Sequence, residues 1–371
     1  MSTTIVQRHG FGRLDRPRAQ LVAALALGWA PIALLGVVGR LVTGRLEPLV
    51  ADLSVHVRLL VAVPLLVIAD LALARQSRVT LRRLVEEGFI GDEARARFDR
   101  LVRSADRLRT SPVVEALLFG LAVAVGVSTL LGWLGPTGIV HGTANAGFGA
   151  ARIWFDLVGL PLFVFLLARS LWRWAIWVRT LIGLARLRLR LALAHPDRRG
   201  GIGFVALPSL AFGAPFLLGM SSVLCASWAA QVTTSGAALQ QFRAPFLLFV
   251  VAGELLALAP LLAFTPRLFL ASRAGLVAYG GLATDYVRRF HQRWIAAAGP
   301  RELLGTADLQ SLNDLDSAYR ETVEKALPLA FGARELIVLL LAMALPTVPL
   351  ILAFMPADVL RKLAQSLLGS R

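Results

Sequence analysis

The feature that most constrains this chain is the regular alternation of long apolar runs with shorter, arginine-rich segments. Helices rise about 1.5 Å per residue, so about 20 apolar residues cross a hydrocarbon core of about 30 Å. Seven runs meet this requirement: Ala19–Val42, Val55–Ala74, Val113–Leu134, Ile153–Val178, Pro208–Ala230, Ala244–Phe264 and Glu335–Phe354. Only 17% of the residues are charged, against about 25% in soluble domains. The pattern predicts an all-α, polytopic transmembrane helix bundle of about seven spans.

The basic residues fall almost entirely on one side of this expected bundle. Of the 39 Lys and Arg residues, the alternate connecting segments and the C-terminal tail hold 6, whereas 29 lie in the N-terminal tail and in segments 75–112, 179–207 and 267–334. Arginine-rich loops remain in the cytoplasm of cells. The chain is therefore expected in the inner (plasma) membrane, with its N-terminus cytoplasmic and its C-terminus outside. An anionic lipid leaflet accounts for the net charge of +16, so membrane lipids and no nucleic acid are the expected partners.

This topology divides the chain into three parts. Residues 1–18 form a basic cytoplasmic N-terminus, residues 19–354 form the membrane domain, and residues 355–371 form a short amphipathic tail outside. Two of the cytoplasmic loops are long enough for helices of their own. In the loop 75–112, Asp92 is placed to cap a charged helix.

The loop 267–334 carries two apolar stripes at helical spacing. The first consists of Tyr286, Phe290 and Trp294, and the second of Leu309, Leu312, Leu315, Tyr319 and Val323. These stripes must bury against each other, against the membrane or against a partner. We therefore expect a small helical cytoplasmic layer.

Glu254 is the most prominent polar residue inside a run. It stands near the middle of the sixth run, where an acidic group costs roughly 2.5–3.5 kcal/mol on insertion scales. One interpretation is a carboxylate that handles protons or cations. The other is a structural carboxyl that is protonated or hydrogen-bonded to a neighbouring helix.

Four further candidates lie toward the ends of the runs. His56, Arg58 and Asp156 lie near outer ends and together could form a polar mouth or an ion-pair cluster. For Arg58 the simpler interpretation is that it snorkels to the interface. Asp70, at an inner end, could pair with Arg75 or Arg78.

Arg169 and Arg173 belong to the fourth run. They lie among three tryptophans, Trp172, Trp174 and Trp177. This combination is typical of an aromatic belt at the interface, with arginines that bind lipid phosphates.

The loop HPDRRGG between the fourth and fifth runs is the most distinctive connection. Its candidate residues for an anion, a lipid or a partner are His195, Asp197, Arg198, Arg199, Gly200 and Gly201. Guanidinium groups and backbone N–H groups freed by glycine could cradle a headgroup or phosphate. The favoured alternative is that proline and glycine only stop one helix and re-aim the chain into the next.

No catalytic motif accompanies these residues. The sequence contains no HExxH, GxSxG or P-loop pattern and no clustered histidines, and it has one cysteine, Cys225. We therefore expect no enzyme, no cofactor and no metal. The sequence favours a transporter or channel that uses Glu254. The alternative is a membrane-embedded assembly or signalling module that docks another protein or a second copy through its cytoplasmic loops.

Three segments also carry a family resemblance. They are His195–Phe204, the tripeptide Ala278-Tyr279-Gly280 with Tyr286, and Leu304–Leu312. With them the chain resembles a group of uncharacterised bacterial multi-pass membrane proteins, over most of its length beyond the first helix. The resemblance implies a membrane protein with no established activity, and it draws attention to the cytoplasmic face.

Overall fold

The fold is an all-α bundle. The computed structural model describes residues 17–44, 48–133, 149–192, 195–296, 307–320, 325 and 327–354. Within these residues, six helices are long and apolar enough to cross a membrane: Leu21–Val42, Leu53–Glu86, Pro112–Leu130, Ala150–Ala185, Gly203–Ser235 and Leu239–Ala296. A seventh candidate crossing is the pair Ala333–Ala344 and Thr347–Phe354, which is bent by 41°. We number these spans 1 to 7, and they confirm the predicted polytopic bundle.

Spans 2, 4 and 5 form the centre of the bundle. Span 5 packs along span 2, and span 4 packs on spans 2 and 3. The most deeply buried side chains lie between these helices, including Leu59, Leu66, Leu160, Phe163 and Phe212. Gly126 lets span 3 approach span 4 closely, because a Cβ atom there would clash with the Asp156 carbonyl oxygen. Small residues at such crossings are the usual means of close packing in lipid.

Spans 2 and 4 each contain one π-helical turn near the same end of the bundle. These turns are Arg58–Ala62 and Phe155–Gly159, and each is followed by a proline, Pro64 or Pro161. Proline has no N–H, so the carbonyl one turn earlier loses its usual helical partner. Turns of this kind are rare and frequently lie at functional sites.

The described parts of the loops 75–112, 179–207 and 267–334 lie at one end of the bundle, which we call the arginine-rich side. There the helix Asp92–Arg109 packs on span 4 and buries Phe98. Gly91 occupies the cap position and has no side chain that could accept a hydrogen bond from the first turn. The prediction that Asp92 caps this helix is therefore wrong by one residue, and Asp92 stands in the first turn, where a negative charge favours the helix dipole.

Span 6 continues far beyond the bundle on the arginine-rich side. Its last long helix, Thr265–His291, is about 40 Å long, and the helix Asp308–Ala318 folds back along it. Tyr286 donates a hydrogen bond to the Asp308 carbonyl at 3.0 Å, and Trp294 donates one to the Asp308 carboxylate at 2.9 Å. We call these two helices the arm. The first apolar stripe thus contacts the first residue of the shorter helix. Val323, residues 1–16 of the predicted N-terminal tail (1–18) and the predicted tail 355–371 lie outside the described residues.

Candidate functional site

The charged side chains inside the bundle gather at two levels, and both levels involve spans 2 and 4. The distal centre, far from the arginine-rich side, contains Asp52, His56, Arg58, Arg152 and Asp156. The proximal centre, near the arginine-rich side, contains Asp70, Arg109, Glu115, Arg169 and Arg173. The sequence candidates other than Glu254 and the HPDRRGG loop all belong to one of these centres.

Arg58 lies in the core of the distal centre. Its side chain is 0% exposed, and its guanidinium carbon lies 5.7 Å from the Phe155 ring centroid and 5.6 Å from that of Phe163. Contacts of this kind are cation–π interactions, and the Asp52 carboxylate adds a favourable electrostatic interaction. The interpretation of Arg58 as a snorkelling residue is therefore wrong, because its side chain points into the helix packing.

The other polar groups of the distal centre are also tied to named partners. Asp156 is 3% exposed and lies 3.4 Å from the Nε atom of Arg152. Trp29 donates a hydrogen bond to Nδ1 of His56 at 3.0 Å, and Nε2 of His56 lies 2.7 Å from the Val50 carbonyl oxygen. Because Nδ1 must accept, the proton of the neutral imidazole lies on Nε2 and is donated to Val50. Trp29 and His56 thus join span 1 to span 2, while Arg152 and Asp156 pair within span 4.

In the proximal centre an ion pair joins spans 2 and 4. Asp70 Oδ2 accepts a hydrogen bond from Arg173 Nη1 at 2.6 Å and lies 3.9 Å from Arg169 Nε. Arg169 Nε also lies 4.0 Å from the Glu115 carboxylate of span 3. The sequence suggested Arg75 or Arg78 for Asp70, and it assigned Arg173 to an interfacial belt. The structure instead turns Arg173 inward to Asp70.

Arg109 brings a third guanidinium to the proximal centre from the end of the helix Asp92–Arg109. Its charge interacts with those of Asp70, Arg169 and Arg173. Burial, and then the neighbouring Arg173 guanidinium, lowers the pKa of Arg109 to about 10, so it stays protonated at neutral pH. With three guanidiniums against two carboxylates, the proximal centre is net positive.

The two centres are the ends of one interface between spans 2 and 4, which we call the seam. Arg58 and Asp70 are twelve residues apart on span 2, or about 18 Å along a helix. Between them the seam is filled by apolar side chains that are 0–1% exposed, namely Leu59, Leu66, Leu160 and Phe163. The seam is thus charged at both ends and closed in between.

Glu254 stands apart from the seam, on span 6. Both of its carboxylate oxygens are shielded from solvent and have no hydrogen-bond partner among the described residues. Its neighbour Gly253 packs against Leu217 of span 5 and Met343 of span 7. The structure therefore does not bring Glu254 to the other candidates.

In the HPDRRGG loop, the Asp197 carboxylate organises the turn. It accepts hydrogen bonds from the backbone N–H groups of Arg199 (2.8 Å), Gly201 (3.0 Å) and Gly203 (3.0 Å) and lies 2.9 Å from His195 Nδ1. Burial acts to raise the pKa of Asp197, but these hydrogen bonds outweigh it and hold the pKa below its usual value. The N–H groups that sequence reasoning offered to a phosphate are thus occupied by the chain's own carboxylate.

The same loop also holds the segment that leads into span 7. Leu327 donates a backbone hydrogen bond to the Arg198 carbonyl at 2.8 Å. The Arg199 guanidinium lies against Gly332, where a Cβ atom would clash with it, and Gly332 precedes the first residue of span 7. These contacts favour the interpretation of the loop as a structural turn that joins spans 4, 5 and 7.

Chemically, the seam offers carboxylates and guanidiniums in an apolar environment. The described residues contain no group of three or more His, Cys, Asp or Glu side chains that could hold a metal ion. Comparison with known proteins found no family model, no curated protein and no solved structure that matches this chain. Its function must therefore be argued from the seam and the arm themselves.

Proposed function

We propose that this protein is an inner-membrane transporter or channel that moves protons or a small ion along the seam between spans 2 and 4. The observation that carries the proposal is the presence of charged centres at both ends of this one interface. In this proposal the arginine-rich side faces the cytoplasm and the anionic lipids of the inner leaflet.

The cost of the buried charges supports this proposal. Ionisable side chains inside membrane spans are expensive and usually mark ion pathways or proton relays. Asp156 and Asp70 carry such charges at the two ends of the seam, although well-packed apolar side chains are often as stable as a buried ion pair. A bundle that served only as an anchor would gain little from them.

The backbone of the seam supports it as well. A closed apolar section between two charged ends must open for an ion to pass. The π-helical turns at Arg58–Ala62 and Phe155–Gly159 supply helix segments with weakened hydrogen bonding at which spans 2 and 4 can shift. Gating of the seam would begin at these turns.

Ion flux in liposomes tests the proposal. Purified protein is reconstituted, and dye-reported proton flux is measured under a potassium diffusion potential, with sodium and chloride flux measured in parallel. We expect Asp156→Asn and Asp70→Asn each to reduce the flux of the transported ion at least tenfold. The matched control is Glu87→Gln, which removes an exposed carboxylate 2.8 Å from Arg83 and should leave flux unchanged. Wild-type protein without flux above empty liposomes, or both seam variants at wild-type flux, contradicts the proposal.

A second function, docking of a partner protein on the arm, is favoured by a separate observation. The helix Thr265–His291 leaves large apolar side chains exposed outside its contact with the shorter helix, including Val277 (79%) and Leu282 (55%). Contiguous exposed apolar residues often mark interaction surfaces. Under this alternative, the spans anchor an assembly or signalling module.

Affinity capture in mild detergent distinguishes this alternative. We expect a specific partner to be lost from the double variant Val277→Ser and Leu282→Ser. The control is Val79→Ser, which changes an exposed apolar residue on span 2, outside the arm. Recovery of the same proteins with and without the arm substitutions would count against docking.

A further inference from the structure

A small cavity lies inside the proximal centre. Its volume is about 10 Å³, and its polar lining consists of Asp70, Ser77, Arg109, Arg173 and Trp177. Spans 2 and 4 supply its walls, and the end of the helix Asp92–Arg109 supplies Arg109. The cavity therefore lies where the ion pair Asp70–Arg173 joins the two spans.

Two polar atoms of its lining residues have unused hydrogen-bonding capacity. Asp70 Oδ1 and Trp177 Nε1 are both buried and have no hydrogen-bond partner within 3.5 Å among the described residues, although the Ser170 hydroxyl also interacts with the Asp70 carboxylate. Asp70 is 7% exposed and Trp177 is 1% exposed, so neither atom reaches bulk water or lipid headgroups. Buried polar atoms of this kind are nearly always satisfied by protein or by ordered water.

The chemistry of these atoms selects the occupant. The carboxylate oxygen of Asp70 can only accept, whereas the indole N–H of Trp177 can only donate. A molecule that satisfies both must therefore donate and accept. Chloride cannot donate to Asp70, and a metal cation cannot accept from Trp177 and would lie beside the Arg109 and Arg173 guanidiniums.

The size and the remaining lining agree with this selection. A cavity of about 10–15 Å³ holds one water molecule, and a buried water usually makes about three hydrogen bonds. Ser77 donates its hydroxyl proton to the Leu73 carbonyl at 2.6 Å, so its oxygen keeps lone pairs that can accept. A water in this cavity thus has one acceptor in Asp70, one donor in Trp177 and a further acceptor in Ser77.

We propose that this cavity is a binding site for one water molecule, which donates a hydrogen bond to Asp70 Oδ1 and accepts one from Trp177 Nε1. The water adds a second link between spans 2 and 4, beside the direct ion pair. It also gives the buried Asp70 carboxylate a neighbour with exchangeable protons. The site follows from the packing of the proximal centre, and it stands whether or not the seam transports ions.

A high-resolution map of the wild-type protein in lipid nanodiscs tests this directly. We expect one density peak in the cavity, at about 2.7–3.2 Å from both Asp70 Oδ1 and Trp177 Nε1. A cavity without density overturns the proposal. So does a peak whose density rises when bromide replaces chloride in the buffer, because such a peak is a bound halide ion. Because the wild-type map decides the question, the test does not depend on the folding of a variant.

A matched pair of variants then tests the assigned contacts. Trp177→Phe keeps an aromatic ring but removes the N–H, and we expect the water density to be lost or displaced from its wild-type position. Trp172→Phe is the control, because Trp172 donates to the Leu108 carbonyl at 3.4 Å and does not line the cavity. Unchanged water density in Trp177→Phe shows that the indole N–H does not hold the water and contradicts the site.

Discussion

At the scale of single residues, the partnership of Asp70 and Arg173 is the sharpest feature of the structure. Both side chains are largely buried, and their 2.6 Å contact joins span 2 to span 4. Removing one partner of a buried ion pair leaves an uncompensated charge and typically costs about 3–5 kcal/mol, whereas replacing both is far less costly. The pair should therefore behave non-additively on substitution.

Arg173→Met is expected to destabilise the protein strongly, and Asp70→Asn with Arg173→Met is expected to recover most of the loss. Thermal melting in detergent measures both variants. The control is Arg320→Met, which breaks an exposed 3.2 Å pair with Asp316 and should change stability by no more than about 1 kcal/mol. Equal melting temperatures for Arg173→Met and Arg320→Met would show that the buried pair is not stabilising.

Asp197 provides a prediction about pH. Its folded-state pKa is depressed, so its stabilising contribution is present above the ordinary carboxyl pKa of about 3.9 and is lost as pH falls through the folded pKa. Asp197→Asn should lower stability at pH 7, because one amide oxygen cannot replace a carboxylate that accepts three backbone hydrogen bonds. Below the ordinary carboxyl pKa of about 3.9, the difference between variant and wild type should shrink as pH falls. Melting curves at pH 7 and pH 3 measure this, and a difference independent of pH would contradict the assigned role.

At the scale of elements, the crossing of spans 3 and 4 depends on one glycine. A Cβ atom at Gly126 would clash with backbone of Asp156 and with Pro161, whereas a Cβ atom at Gly120, on the same helix, would meet nothing within 4 Å. Gly126→Ala must therefore separate the two spans, and strain of this kind typically costs about 1–3 kcal/mol. Gly120→Ala should instead stabilise the helix by about 0.5–1 kcal/mol. Opposite shifts in melting temperature are expected, and shifts of the same sign would contradict the close crossing.

The elements also show what sequence reasoning could and could not supply. The runs of apolar residues define the spans well, because hydrocarbon thickness and helix rise fix their length. The inward orientation of Arg173 was not predictable, since Arg169 and Arg173 beside three tryptophans have the composition of an interfacial belt. Whether such side chains face lipid or Asp70 depends only on how span 4 is rotated about its own axis relative to span 2. The π-helical turns were also missed, although Pro64 and Pro161, six residues after Arg58 and five residues after Asp156, were a signal for them.

Helix packing also explains why Arg58 and Glu254 have different surroundings. Both are single ionisable residues in apolar runs, and the sequence favoured Glu254 as the functional one. The structure places Arg58 beside two aromatic rings and near the Asp52 carboxylate, whereas Glu254 has no hydrogen-bond partner among the described residues. We expect Glu254→Gln to leave ion flux within about twofold of wild type, measured in the liposome assay that tests Asp156→Asn. A tenfold loss would instead place Glu254 on the path.

At the scale of the whole molecule, the distribution of arginine along the chain predicts the orientation of the bundle in the membrane. The N-terminal tail and segments 75–112, 179–207 and 267–334 hold 29 of the 39 basic residues, and spans 1 to 6 suffice to bring all four to one side. A C-terminus on the opposite side additionally requires an odd number of crossings. The bent pair Ala333–Ala344 and Thr347–Phe354 is the crossing on which that parity depends. A bend of 41° within about 20 apolar residues still allows the pair to reach the far side, because the membrane is only about 30 Å thick. If the pair instead re-entered the same leaflet, the chain would end on the arginine-rich side.

Paired reporter fusions decide between these two paths of span 7. Alkaline phosphatase, active only outside the cytoplasm, is expected to be active when fused after Arg371 and inactive when fused after Lys325. A fluorescent protein that folds only in the cytoplasm should give the opposite result at both positions. The fusion after Lys325 is the internal control, because it follows the arm on the arginine-rich side whichever path span 7 takes. If both fusion positions give inactive phosphatase and a fluorescent reporter, both lie in the cytoplasm. Span 7 is then re-entrant and the chain has six crossings, while the seam between spans 2 and 4 keeps its orientation.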